Sequence, residues 1–187
     1  MDGTFSETKI NVDYDLVIVA DDNVIISNTV GNVFNITSSS VTIKNIQFSN
    51  LRQTANNGFI ISANDLIVLE NCRFVGGTYY HGIKSNEIRI YDSKFTGINV
   101  NYELINTNIL KIDNISVANN KFTGNSMSNT LFTGESIVDW DLRNSIFENN
   151  SNLLTGALLL SGSSTSEVNI HNLTFDSNGI SSSGITA

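Results

Sequence analysis

Two carboxylates, Asp139 and Asp141, flank Trp140 in the run Val138-Asp139-Trp140-Asp141-Leu142. On a strand they face the same side, separated by about 6.6–6.8 Å along the chain. That spacing suits general acid and base work on a glycosidic bond. The competing reading is two acids on a solvated strand face with Trp140 turned inward. Arg89 offers a second chemistry, because Glu87, Asp139 and Glu167 share its outward side. Outward carboxylates are the ligand type a calcium ion takes, and calcium enters under that reading alone. Against it, the acids are scattered rather than clustered, and no metal site is read from the chain.

Three cations, Arg73, Lys94 and Lys121, each stand one place before a Phe. If those phenylalanines are equivalent, the cations form an outward column about 4.8 Å apart, suited to an anionic polymer lying along it. Glu70, Glu148 and Asp176 occupy nearby outward positions, so local charge balance accounts for the same column. Tyr79-Tyr80-His81 is placed in a loop, where adjacent aromatics stack on a sugar ring or cover the edge of the fold. His81 and His171 lack metal-ligand spacing. Cys72 is the only cysteine, so there is no intrachain disulfide, and its place in the pattern favours a buried thiol over a nucleophile.

The elements that must position these groups follow from a repeat. An aliphatic residue, Asn or Asp two places later, and Phe three places after that occur at Ile43-Asn45-Phe48, Leu69-Asn71-Phe74, Ile90-Asp92-Phe95, Val117-Asn119-Phe122, Leu142-Asn144-Phe147 and Ile170-Asn172-Phe175. The phenylalanines are 26, 21, 27, 25 and 28 residues apart. A unit of that length marks a solenoid, in which each coil buries its apolar face against its neighbours. Seven places before each Phe stand Val41, Ile67, Ile88, Ile115, Trp140 and Val168. With the aliphatics two places on, they give each coil an inward-facing strand. The Asn or Asp then makes a bend, and its side chains stack as a ladder. A second strand per coil is read from Gly31-Asn32-Val33-Phe34, Asn57-Gly58-Phe59, His81-Gly82-Ile83, Glu103-Leu104-Ile105, Thr130-Leu131-Phe132 and Gly156-Ala157-Leu158. In that register Arg89 and Asp141 lie two coils apart, about 9–10 Å between backbones.

Composition agrees. Charged residues are 15% of the chain and Pro is absent, while Asn, Ser and Thr dominate the polar fraction. These compete for backbone hydrogen bonds in helices and suit short strands joined by turns. A net charge of -8 disfavours nucleic acid or an anionic membrane as the main partner. No segment is apolar for the roughly 20 residues a membrane helix needs, and the start lacks the regions of a signal peptide. Sequons begin at Asn35, Asn114, Asn149 and Asn172, a number that chance supplies in so Asn-rich a chain.

The fold class expected is therefore all-β: a right-handed parallel β-helix of about six to seven coils of roughly 25 residues, with an Asn ladder (Asn45, Asn71, Asp92, Asn119, Asn144, Asn172) and a Phe stack (Phe48, Phe74, Phe95, Phe122, Phe147, Phe175). Residues 1–187 form a single domain, expected to be a piece of a longer array because Ser183-Gly184-Ile185-Thr186 starts another coil. On these repeats the chain resembles the right-handed parallel β-helices of the pectin-lyase-like superfamily. The opening Asp2-Gly3-Thr4-Phe5 and the run Val41-Thr42-Ile43-Lys44-Asn45-Ile46-Gln47-Phe48 are similar to archaeal adhesin-like surface proteins. That resemblance implies a noncatalytic extracellular or cell-surface rod, a rigid spacer or a surface for a glycan or a partner-cell protein. The superfamily also implies an alternative, a polysaccharide lyase or glycoside hydrolase using Asp139, Asp141 and Arg89.

Overall fold

In a computed structural model the chain is a parallel β-solenoid. The structure describes residues 3–5, 10–27, 34–36, 40–53, 58–123, 130–134, 136–153, 158–159, 162–179 and 185–186. Among these there are strands and no helix.

Every strand pairing is parallel, and each links one coil to the next. An 11-stranded sheet wraps two faces of the coil. Its first face stacks the segments within Leu16–Ser27 and Ser40–Ser49, then Leu66–Glu70, Glu87–Tyr91, Ile109–Asp113, and the first parts of Ile137–Glu148 and Gly162–Asp176. Its second face stacks Arg73–Val75, Lys94–Thr96 and Ser116–Ala118 between the later parts of Ser40–Ser49 and Ile137–Glu148. A second sheet of eight strands includes Phe34–Ile36, Phe59–Ala63, His81–Lys84, Glu103–Asn106, Thr130–Thr133 and Leu158–Leu159, with Ile61, Ile83, Ile105, Phe132 and Leu158 in register. A third sheet is short: Thr78–Tyr79, Asn99–Val100 and Lys121–Phe122.

The strand predicted before each Asn and the Gly-entered strand are both present. Gly31, Asn32, Val33, Asn57, Gly156 and Ala157 of the second motif lie outside the described residues, as do Asp2, Ser183 and Gly184. About five turns, those containing Val41, Ile67, Ile88, Leu110 and Trp140, have a neighbouring coil on both sides. This is slightly fewer than the six to seven coils expected, since the levels of Leu16 and Val168 are the outer members of that face among the described residues.

The core is one continuous column. Val41, Ile43, Ile67, Leu69, Ile88, Ile90, Leu110, Trp140 and Leu142 are fully buried on the first face. Phe48, Phe74 and Phe95 stack at centroid distances of 4.6 and 4.7 Å with nearly parallel planes. Burial of each such ring is worth about 1.5–3 kcal/mol, with roughly 0.5–1.5 more per stacked pair.

The fourth copy of the repeat is corrected by the register. Leu110, not Ile115, pairs with Ile88 and Trp140, and Val117 takes the phenylalanine position between Phe95 and Phe147. Phe122 is buried in the third sheet opposite Val100, so the stack pauses at Val117 and resumes as Phe147 on Phe175 at 4.9 Å. The run Val117-Ala118-Asn119-Asn120-Lys121-Phe122 copies the spacing of the repeat on a different part of the coil. Trp140 turns inward as expected.

Two corners carry left-handed backbone. Asn45, Asn71, Asp92, Asn114, Asn144 and Asn172 have φ between 47 and 61° and close the first corner. Asn114 therefore takes the ladder position that the repeat assigned to Asn119. Asn50, Gly76, Gly97, Asn119, Asn149 and Ser177 have φ between 51 and 68° and close the second. Apart from Ser177 these are Asn, Asp and Gly, the residues that visit this region most cheaply, so the two columns of letters set the two bends.

The first corner forms an exposed side-chain ladder, but a broken one. Asn71 Nδ2 donates to Asn45 Oδ1 at 3.0 Å, Asn114 Nδ2 to Asp92 Oδ1 at 2.6 Å and Asn172 Nδ2 to Asn144 Oδ1 at 2.9 Å. Asn144 Nδ2 turns instead to Asp113 Oδ1. A second ladder, absent from the sequence-based expectation, lies inside the fold. Asn120 Nδ2 donates to Asn150 Oδ1 and Asn150 Nδ2 to Asn178 Oδ1, while the same amides donate to the carbonyls of Phe95, Val117 and Phe147. Asn120 and Asn150 are fully buried, and each satisfies backbone groups the corner would otherwise orphan.

Candidate functional site

Two outward columns of the first face of the long sheet carry the candidate residues. Glu87, Ile109, Asp139 and Glu167 form one, and Arg89, Lys111, Asp141 and Asn169 form the next. The expected sharing of a column by Glu87, Asp139 and Glu167 is present, and Arg89 and Asp141 are two coils apart with Lys111 between them. The carboxylates are engaged. Arg143 Nε meets Asp141 Oδ1 at 2.7 Å, Lys111 Nζ meets Asp139 Oδ2 at 3.2 Å, and Arg89 Nε meets Glu87 Oε1 at 2.6 Å. The Arg143 guanidinium hydrogen-bonded to Asp141 holds that carboxyl below the usual carboxylate range, with help from the charges of His171 and Lys111. A general acid needs a carboxyl shifted the other way. Among the described residues no three His, Cys, Asp or Glu side chains converge as metal ligands.

The second face holds the cations differently. Arg73 and Lys94 are paired in register and exposed, in the column Gln47, Arg73, Lys94, Ser116, Ile146. Lys121 does not continue that column; it lies in the third sheet beside Asn99, because the fourth repeat is displaced. Among the described residues neither Arg73 nor Lys94 forms an ion pair or side-chain hydrogen bond, whereas Lys44 holds Glu70 at 2.6 Å on the first face.

At the corner between these two faces lies a groove of about 320 Å³ lined by Asp21, Val24, Ile25, Asn45, Ile46, Gln47, Asn71 and Arg73. Its cause is local. Between Val19 and Val24 the strand Leu16–Ser27 shifts register against Ser40–Ser49, where Lys44 and Ile46 are separated by Asn45 alone. The extra residues form a bulge, and Asn45 Nδ2 donates to the Ala20 carbonyl within it at 2.9 Å. The opposite side of the first face borders a second groove, of about 260 Å³, lined largely by Asn64, Lys84, Asn86, Asn106 and Asn108.

Tyr79 and Tyr80 part company. Tyr79 is in the third sheet and 1% exposed, with its hydroxyl unpartnered among the described residues and its ionisation pushed up by burial. It is a core residue, not half of an aromatic pair. The double glycine before it brings the chain inward, since Gly77 has φ +101° and sits where a Cβ would meet the Leu51 backbone. Tyr80 is half-buried and tilted against Tyr102. His81, on the second sheet, stacks on Tyr102 and lies tilted against Phe59, both at 4.8 Å, and its Nδ1 lies 2.7 Å from Oε1 of Glu103, which is 3% exposed. Glu103 was not singled out by residue type, although the repeat aligns His81-Gly82-Ile83 with Glu103-Leu104-Ile105.

Cys72 is fully buried, and burial pushes its thiol up to about 11, the position of an inert core cysteine. Of the sequons, Asn114 and Asn172 spend their side-chain amides on the outer ladder.

Comparison with protein-family models, curated proteins and solved structures finds no match to this chain.

Proposed function

We propose that this chain is a noncatalytic, adhesin-like β-solenoid of the cell surface, a stiff scaffold whose lateral wall binds a glycan. The pectin-lyase-like affiliation and the extracellular setting are part of the same reading. The observation that carries it is the pairing of outward charge. On the broad first face Asp139, Asp141 and Glu87 each hold a cation, which suits a stable wall, while the two neighbouring corner grooves present Asn, Gln, Lys and Arg side chains toward solvent. Amides carry both donors and acceptors, the equipment for recognising sugar hydroxyls. Stacked parallel coils supply the rigidity, because each strand is fixed on both sides by its neighbours.

The test is a glycan array probed with the folded protein, together with an assay for depolymerisation of uronate and neutral polysaccharides with and without calcium. Binding without turnover is the expected result. A calcium-dependent cleavage that disappears in Asp141→Ala would overturn it in favour of a lyase or hydrolase acting through Asp139, Asp141 and Arg89.

A further inference from the structure

The sequons are alike as letters, and the fold separates them. Asn114 Nδ2 donates to Asp92 Oδ1 at 2.6 Å and Asn172 Nδ2 to Asn144 Oδ1 at 2.9 Å, so both amides are spent in the outer ladder of the first corner. Asn149, in Asn149-Asn150-Ser151, instead closes the second corner with φ 53° and is exposed. Its backbone N–H donates to the Asp176 carbonyl at 3.0 Å, yet its side-chain amide has no hydrogen-bond partner among the described residues. The cause is local. At this corner the ladder is made one residue later and inside, by Asn120, Asn150 and Asn178, which leaves Asn119 and Asn149 outward with their amides unspent. Asn150 is fully buried, so Asn149 and Ser151 stand on either side of it, and the Ser151 hydroxyl is likewise without a partner among the described residues. The Ser151 backbone is held at both groups, its N–H by the Asn120 carbonyl and its carbonyl by the Phe122 N–H. The two side chains that make a sequon readable are both open to solvent here, on fixed backbone.

We infer that Asn149 is an N-glycosylation acceptor of the folded chain, modified in preference to Asn114 and Asn172. The inference rests on the extracellular part of the reading above, since sequons are used on exported chains. The donor is an oligosaccharide on a lipid-phosphate carrier. Asn149 Nδ2 forms a bond to the anomeric carbon, the carbon–oxygen bond to the carrier phosphate breaks, the phosphate leaves with the electron pair, and the amide nitrogen gives up one proton. At Asn114 or Asn172 the same step first requires release of a ladder bond, and at Asn149 it requires none. A glycan on the second corner also leaves both grooves open, because one lies at the first corner and the other at the far side of the first face.

The folded full chain is to be incubated with a single-subunit oligosaccharyltransferase that reads Asn-x-Ser/Thr and with its lipid-linked donor, and each sequon's occupancy followed by peptide mass spectrometry. Short peptides carrying the same sequons serve as the unfolded reference. All three peptides should be accepted, whereas in the folded chain Asn149 should be modified at least about fivefold faster than Asn114 or Asn172, the factor for releasing one net hydrogen bond. Ser151→Ala should abolish modification of Asn149 and Ser151→Thr should retain it, with circular dichroism reporting intact strands in both. A folded chain left unmodified at Asn149 while its peptide is accepted overturns the inference, and so does equal or faster modification of Asn114 or Asn172. Protection of the chain from protease added to its own intact cells overturns the surface reading instead. The two failures are told apart because transfer to the purified chain does not depend on where the chain resides.

Discussion

Val117 pairs with Phe95 in parallel register and so occupies the place of a phenylalanine, although a phenylalanine stands five residues later at Phe122. The string from Val117 to Phe122 has the spacing of the repeat, and a strand period of two cannot tell it from the authentic copy Ile112-Asp113-Asn114-Ile115-Ser116-Val117. Stacking can. Leu110 and Ile112 must lie on Ile88 and Ile90 below and on Trp140 and Leu142 above, which fixes the coil and sends Phe122 to the third sheet.

The stack makes a measurable prediction. Phe74→Ala should cost about 3–5 kcal/mol, since the ring is fully buried between Phe48 and Phe95. A double-mutant cycle between Phe74 and Phe95 should report a coupling of roughly 0.5–1.5 kcal/mol beyond the single effects. Denaturant unfolding of the four proteins is the measurement, and additivity would deny that the two rings stabilise each other.

The two asparagine ladders should differ in weight. Asn150 is fully buried, accepts from the backbone and side chain of Asn120, and donates to Val117 O and Asn178 Oδ1. Asn150→Ala leaves several of these groups without a partner at about 1–3 kcal/mol each, so a loss of roughly 3 kcal/mol or more is expected. Asn71 is exposed with φ 50° and bonds Asn45 from solvent. Asn71→Gly keeps the backbone accessible and should cost under about 1 kcal/mol, whereas Asn71→Ala adds roughly 1–2 kcal/mol of left-handed strain. Equal losses for Asn150→Ala and Asn71→Gly would refute the inner ladder's role.

Alternating aliphatics and a bend residue are local signals, so the long sheet and the first corner were legible in the sequence from Val41 through Phe95. What was not legible depends on neighbours. Tyr79 looked like loop surface because a strand of two residues, Thr78–Tyr79, carries no periodicity, and only its pairing with Asn99–Val100 places it inside. Asn120, Asn150 and Asn178 follow the second corner by one residue, an unremarkable spot in an Asn-rich chain until the coil shows that spot facing inward. The candidate charges were readable as a list, but their partners were not: Arg143, two places along the same strand, takes Asp141, and Lys111 on the adjoining coil takes Asp139.

That Asp141–Arg143 pair implies a direction for acid stability. Arg143 lowers the folded-state carboxyl relative to the unfolded chain, so the pair's contribution is present above the unfolded carboxylate range and fades as pH falls through the lowered folded value. Comparing the parent with Asp141→Asn from neutral pH to below the carboxylate range should therefore show a stability difference that shrinks on acidification. The effect should be small, because the pair lies at the solvated surface. A difference that grows toward low pH would give the linkage the wrong sign.

Cys72 supplies the opposite direction. Its Sγ lies 3.4 Å from the Ile43 carbonyl inside the core, and burial moves its thiol to about 11. The unfolded chain ionises near about 8.5, so the stabilisation of the folded thiol is complete below that value and is lost as pH rises toward the folded one. Folded protein at neutral pH should react with a thiol reagent only through opening of the coil, at least about a hundredfold more slowly than the same protein in denaturant. Cys72→Ser retains the size but places a hydroxyl where the sulfur packs; it should be destabilising by about 1–3 kcal/mol at neutral pH, with the deficit narrowing above about pH 9 as the parent loses its thiol contribution. Rapid modification of the folded protein at neutral pH would show that the thiol is accessible, and with it that the coil at Cys72 is open.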